Sequence, residues 1–208
     1  MGGDLMSAQP IAIGVEGGVR TTNDVSGSLT SESKRYIVGP TVDIKLPLRL
    51  SVEVDALYQR FGFSGYETSC CGSATLRERT NSWEFPMILK YRLPVPLLHP
   101  FVGAGYAPRV VHGADVTSGY YLSGMTANPP TSVYTYFNNQ RTSTNYPVTH
   151  GVVVSGGVSL GAGHFRLTPE VRFVHWSAPF LNEYGGDGSF RFVSNQNEAY
   201  VLLGISWR

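Results

Sequence analysis

Apolar and polar positions alternate along nearly every hydrophobic stretch of this chain, the period-two signature of strands with two different faces. The first stretch, Ile11 to Arg20, sets Ile11, Ile13, Val15 and Val19 against Ala12, Gly14, Glu16, Gly18 and Arg20. The second, Arg35 to Leu46, sets Tyr36, Val38, Val42, Ile44 and Leu46 against Arg35, Gly39, Thr41, Asp43 and Lys45. The third sets Leu50, Val52, Val54, Ala56 and Tyr58 against Arg49, Ser51, Glu53, Asp55 and Gln59. The fourth sets Trp83, Phe85, Met87, Leu89, Tyr91 and Leu93 against Ser82, Glu84, Lys90 and Arg92. The fifth, Pro100 to about Val110, places Val102, Ala104 and Tyr106 opposite Phe101, Gly103, Gly105 and Arg109. The sixth alternates Val152, Val154, Val158 and Leu160 with Gly151, Ser155, Gly157 and Ser159, and Val153 interrupts it. The seventh sets Phe165, Leu167, Val171 and Phe173 against Arg166, Thr168, Glu170 and Arg172. The eighth sets Ala199, Val201, Leu203, Ile205 and Trp207 against Glu198, Tyr200, Gly204 and Ser206. No stretch carries a helical period.

The connections alternate in length. Those after strands two, four and six are short: Pro47, Pro94 to His99, and Gly161 to Gly163. Those after strands one, three, five and seven are long and polar, the longest running from Asp115 to about Asn145. Repeated hairpins of this kind put every long loop at one end and both termini at the other. The reading is an all-β, eight-stranded antiparallel up-and-down barrel, one domain over residues 11–208, preceded by a flexible segment over residues 1–10.

Composition narrows the environment. Only 15% of the 208 residues are charged, with 24 Gly and 13 Pro, which disfavours disorder and helical bundles. The net charge of +1 leaves no electrostatic footprint for nucleic acid. No apolar run approaches the ~18 residues of a transmembrane helix, but alternating strands average to middling hydropathy, so a membrane barrel stays open. Residues 1–10 lack the basic and apolar regions of an export signal, and Ser7-Ala8-Gln9 reads as a remnant of a cleavage site.

Alternation defines two faces without saying which meets solvent. Four features place the apolar face outward, in lipid. Its central stretches carry no charge. The opposite face is rich in Gly, Ala and Ser, as the narrow interior of an eight-stranded barrel requires. Tyr36, Tyr58, Trp83, Tyr91, Tyr106 and Trp207 fall towards the ends of apolar stretches, where aromatic rings sit at membrane interfaces. The long-loop, short-turn asymmetry is that of outer-membrane barrels. The inverted arrangement, a soluble lipocalin-like lipid carrier, is the alternative; the Gly-x-Trp expected on such a carrier's first strand is absent.

The run Pro100-Phe101-Val102-Gly103-Ala104-Gly105-Tyr106 and the closing strand Ala199 to Trp207 resemble eight-stranded bacterial outer-membrane barrels of the outer-membrane-protein-A transmembrane-domain and opacity-protein type. The resemblance implies a bacterial outer-membrane location, contact with membrane lipid and lipopolysaccharide, and recognition of the C-terminal strand by the barrel-assembly machinery. Members usually end in an aromatic residue; here Arg208 follows Trp207. The architecture says little about activity, because one fold hosts many functions.

Three groups of residues are candidates for function. The lumen is expected to hold Glu16, Asp43, Glu53, Asp55, Glu84, Glu170 and Glu198 facing Arg35, Lys45, Arg49, Lys90, Arg92, Arg166 and Arg172, a nearly balanced polar plug, because buried charges must be paired or wet. A gated small-solute pore is the functional alternative. Second, His175-Trp176-Ser177 puts His175 and Ser177 on the lipid-facing side, with His150 at a similar height. The pair is similar to outer-membrane lipid A deacylases, where Ser attacks an ester with His as base and a Glu orients the His. Here Ala178-Pro179 stand where that family has Asn, Glu183 falls in a loop and Glu198 on the inward face. Third, Tyr120, Tyr121, Tyr134, Tyr136 and Phe137, among Ser, Thr and Asn in the longest loop, have the composition of a contact surface for adhesion or another partner.

The remaining features are modest. Cys70-Cys71 is either a vicinal disulfide, an interchain link or two idle thiols. His99, His112, His150, His164 and His175 have no metal-ligand spacing, and neither Gly103-Ala104-Gly105 nor Gly185 to Ser189 forms a phosphate or calcium loop. No cofactor or metal is expected, and a non-enzymatic, surface-loop-presenting envelope protein is the leading reading.

Overall fold

The structure is a computed structural model, and it describes residues 11–26, 30–69, 72–95, 98–123, 133–142, 148–162, 164–179, 182–184 and 191–207. Eight staves form a closed barrel. The first two are Ile11–Arg20 and Tyr36–Lys45. The third is Leu50–Asp55 continuing as Leu57–Ser69, and the fourth is Gly72–Glu84 continuing as Met87–Arg92. The fifth is Pro100–Ser123, the sixth Val148–Val158, the seventh Phe165–Trp176 and the eighth Asn197–Trp207. Each pairs antiparallel with its sequence neighbour, and Ile13↔Trp207 through Arg20↔Tyr200 close the ring.

The faces sort as the alternation requires. Ile13 is 64% exposed, Val152 62% and Val171 59%, whereas Glu16, Glu170 and Arg172 are at most 3% exposed. An apolar exterior around a charged interior reverses the soluble pattern; the molecule is a transmembrane β-barrel. The first two strands are ten residues each, the ~9–11 that a tilted strand needs to cross a bilayer.

At the short-turn end, Leu48 and Arg49 have φ of 62° and 64°, and the Leu50 amide donates to the Pro47 carbonyl at 3.3 Å. This is a type I′ hairpin turn, whose twist matches the flanking strands. Arg49 therefore occupies the turn and is exposed; its expected place on the inner face of the third strand is corrected.

At the other end the barrel wall continues upward. The third and fourth staves pair without interruption from Leu57↔Glu84 to Ser69↔Gly72. The fifth is 24 residues long, roughly 80 Å at ~3.3 Å per residue. Its upper part pairs with the fourth stave on one side and with Val133–Thr142 on the other. Within the segments expected as long loops after Gln59 and Val110, residues 60–69, 72–82, 111–123 and 133–142 are thus sheet. Above the membrane the outer face no longer needs to be apolar, and Phe61 and Phe63 are buried on the inner one, so the outward apolar pattern stops where the backbone pairing does not. A small second sheet joins Val25–Ser26, Asn182–Tyr184 and Arg191–Ser194.

Candidate functional site

The lumen is organised into charged clusters separated by apolar side chains. In the central cluster Arg172 donates to four carboxylates: Glu16 at 3.1 Å, Glu53 at 3.1 Å, Asp55 at 2.9 Å and Glu170 at 2.9 Å. Lys90 lies 2.6 Å from Glu53 and 2.5 Å from Glu170, and its ammonium sits 4.4 Å above the Phe101 ring. Towards the turns, Asp43 accepts from Arg92 at 2.6 Å and from Arg166 at 2.5 Å. Towards the loops, Arg109 is held by Glu84 at 2.7 Å and by Glu198, and lies 3.7 Å over the Trp176 ring. Tyr200 donates to Glu198, and the Trp176 indole N–H donates to the same carboxylate at 3.0 Å. Higher still, Arg20 and Asp24 pair at 3.0 Å with both side chains buried.

Between the central and upper clusters lies a belt of buried Ile37, Leu57, Ile88, Ala107, Val153, Val174 and Leu202. Its position follows from inner-face order. Leu57 stands between Asp55 and Gln59, Val174 between Arg172 and Trp176, and Leu202 between Tyr200 and Gly204. Val153, which interrupts the alternation of the sixth strand, faces inward and is fully buried. A wholly polar plug was the expectation from sequence; the belt divides that plug in two. Below it a cavity of about 30 Å³ is lined by Glu16, Thr41, Asp43, Lys90 and Arg166 among others, room for about two waters at ~10–15 Å³ each. Thr41 Oγ1 and Asp43 Oδ1, which have no protein partner, are suitable partners for that water.

Glu16, Glu53 and Glu170 bring carboxylate oxygens within 4.8 Å of one another, a spacing that could hold a cation. Lys90 and Arg172 already supply positive charge there, so the arrangement is electrostatically served by the chain itself.

The structure brings together twelve of the expected lumen residues, with Lys45 and Arg92 half-buried at the turn-end mouth. Arg35 is a second correction. It is exposed just outside the second strand, at the loop-end rim, where the chain no longer holds inner-face parity. Arg109 and Arg20 lie inside instead. Both stood on the inner face by parity, so that signal was available for residues absent from the expected charged set. Tyr200 and Gln59 join the network through hydrogen bonds across the ring.

The outward aromatics form two girdles. Tyr91, Phe165 and Trp207 mark the turn end, with Phe165 and Trp207 ring centres 5.6 Å apart. Tyr36, Tyr58, Trp83 and Tyr106 mark the loop end, where the Tyr58 and Trp83 rings meet at a tilt with centres 5.5 Å apart and the Tyr58 hydroxyl donates to Asn81 at 2.8 Å. Polar tips at the edge of an apolar band suit membrane–water boundaries.

His175 and Ser177 are both exposed on the outer side near that loop-end girdle. His175 Nδ1 bonds Asn197 Oδ1 at 2.7 Å, so a neutral amide occupies the place of the orienting carboxylate. Ser177 meets His150 through its backbone, its amide donating to the His150 carbonyl at 2.7 Å, while the His150 ring bonds the Tyr106 hydroxyl. Among the described residues no hydrogen bond joins Ser177 to either imidazole. An Asn partner holds the ring without the charge that would stabilise an imidazolium.

In the extended hairpin, Tyr120 is the register partner of Tyr136, Tyr121 of Thr135, Leu122 of Tyr134 and Gly119 of Phe137. The loop candidates are thus strand residues on a paired sheet; their side chains lie outside the described set. Cys70 and Cys71 fall outside the described residues, between the paired Ser69 and Gly72.

No family model matches the chain, and no curated protein matches it. Among solved structures, the crystal structure of Neisserial surface protein A is similar, with a TM-score of 0.43 and 12% sequence identity over 95% of each chain.

Proposed function

We propose that the protein is an integral component of a bacterial outer membrane whose sealed barrel anchors a β-sheet presented at the cell surface. The observation that carries this reading is the apolar belt of Ile37, Leu57, Ile88, Val153, Val174 and Leu202 lying across the lumen between two ion-paired clusters. Ions crossing the barrel would have to break buried pairs and then traverse a dehydrated ring, each step costing several kcal/mol. The lumen accordingly supports the wall instead of conducting. What remains for function is the outside: the lipid-facing band, contacted by membrane lipid and lipopolysaccharide, and the sheet of Leu57–Ser69, Gly72–Glu84, Pro100–Ser123 and Val133–Thr142 rising beyond it. Insertion through the barrel-assembly machinery would use Asn197–Trp207, the strand that closes the ring.

Two experiments test this reading. In planar bilayers the refolded protein is expected to give no steady unitary conductance, and liposomes containing it to show no swelling with small sugars. Sustained, ohmic single-channel events would overturn the sealed lumen. Replacing residues 114–142 with a two-residue Asn-Gly turn is expected to abolish adhesion of expressing cells to a protein or carbohydrate surface while leaving the heat-modifiable barrel band unchanged. Undiminished adhesion by the shortened protein would remove the sheet as the contact surface.

A further inference from the structure

We propose that the outer face of the third and fourth staves, just above the loop-end aromatic girdle, binds the phosphorylated headgroup of an outer-leaflet lipid through Lys34, Arg60, Arg77 and Arg79. The inference rests on the membrane reading above and adds a ligand to a surface that reading leaves unassigned.

Register places these side chains. Tyr58 pairs with Trp83 in the girdle; then come Arg60 with Asn81, Gly62 with Arg79 and Ser64 with Arg77. Steps of two residues stay on one face and rise by roughly 7 Å each, so Arg60 and Asn81 stand immediately above the aromatic rings. Arg60, Arg77 and Arg79 are all exposed. The segment over residues 30–34 pairs along the edge of the third stave, on the side away from the fourth, and the face they share forms a groove of about 310 Å³ lined by Glu32, Lys34, Arg60, Gly62, Arg77 and Arg79 among others.

The segment is pinned there. Glu32 N–H donates to Gly62 O at 2.7 Å, Lys34 N–H donates to Arg60 O at 3.0 Å, and Ser33 Oγ accepts from Gly62 N–H at 2.9 Å. A Cβ at position 62 would come 3.3 Å from the Glu32 carbonyl oxygen, so glycine permits the close approach. Four cations therefore face two acids, Glu32, held by Arg77 Nε at 2.7 Å, and Asp115, the cross-strand partner of Arg79. That hydrogen bond from Arg77 keeps the Glu32 carboxyl below its ordinary range.

The occupant follows from what lies below. Val38, Val54, Phe85 and Met87 are exposed on the same side of the barrel, a surface for acyl chains directly beneath a guanidinium cluster that suits phosphate oxygens. A ligand with an apolar tail and a phosphate head satisfies both; a soluble anion satisfies only the upper half. At the corresponding loop end of the sixth to eighth strands the exposed residues His150, Ser177 and Asn197 offer no guanidinium or ammonium group.

The test is native mass spectrometry of the refolded protein in zwitterionic micelles, titrated with bisphosphorylated lipid A, its dephosphorylated form and inorganic phosphate. The phosphorylated lipid is expected to bind about tenfold or more tighter than the dephosphorylated one, with salt weakening the difference. The Arg60→Gln/Arg79→Gln variant, both sites exposed, should lose that preference, and Glu32→Gln, which removes a negative charge, should strengthen it. Equal affinity for the two lipids, or millimolar inorganic phosphate displacing the lipid completely, overturns the headgroup site. A protein that folds without detergent and shows no heat-modifiable band overturns the membrane reading itself; a folded, detergent-dependent barrel without headgroup preference overturns only this inference.

Discussion

Replacement of Arg172 by methionine is expected to destabilise the barrel by about 3–5 kcal/mol or to prevent its folding. The guanidinium is 1% exposed and bonds Glu16, Glu53, Asp55 and Glu170. Without it, Lys90 alone faces four carboxylates in a space that admits little water. Charges brought together there can be relieved only by protonation, by inward leakage of water or by expansion of the wall. The measurement is the urea midpoint of the refolded protein in lipid vesicles, read from the heat-modifiable band and from tryptophan emission. Arg49→Met, in the exposed turn, should stay within ~0.5 kcal/mol of the parent. The triple variant Arg172→Met/Glu16→Gln/Asp55→Asn should recover much of the loss, because neutralising the whole set removes the desolvation penalty along with the attraction. An Arg172→Met protein as stable as the parent would mean the cluster is solvated and the plug is not a structural support.

The second large effect concerns the opposite face. Val171 is 59% exposed near the middle of its strand, paired with Val201, and points away from the lumen. Val171→Arg is expected to cost about 2–4 kcal/mol in a bilayer, the depth-dependent penalty for a cation at the midplane. Val148→Arg, at the loop end of the sixth strand, should cost only ~0–1 kcal/mol. The gradient is the informative quantity. A barrel with this face in water would tolerate both changes equally, and equal tolerance would remove the lipid from the argument.

Period-two patterning was legible wherever one face had to be apolar. Ile11–Arg20 needed nothing but its alternation to be read, because lipid on one side and a packed charged interior on the other make register unambiguous. The same logic failed where the outer face left the lipid. Along Leu57–Ser69 the apolar Phe61 and Phe63 are the buried side and Arg60 the exposed one, so above the girdle apolar residues no longer mark the outer face. Arg49 escaped the pattern because a type I′ turn claimed it, and Arg35 because the strand begins one residue later, at Tyr36. The basic groove was hidden for a related reason. Lys34 belongs to a short polar segment that pairs beside Arg60 along the edge of the third stave, and no local period records which residues of two strands stand side by side.

Alternation along the chain sets the element type, the number of staves and, within the membrane band, which side chains face in and which face out, because those depend on backbone periodicity and local hydropathy. Tertiary structure alone decided the partners. Ring closure brings Arg172 on the seventh strand to Glu16 on the first, 156 residues away. It also lines up one apolar side chain from each of several strands into a belt. Sequence order contains no information about stagger around a closed ring; that is set by how neighbouring strands tilt and slide as the sheet curls shut.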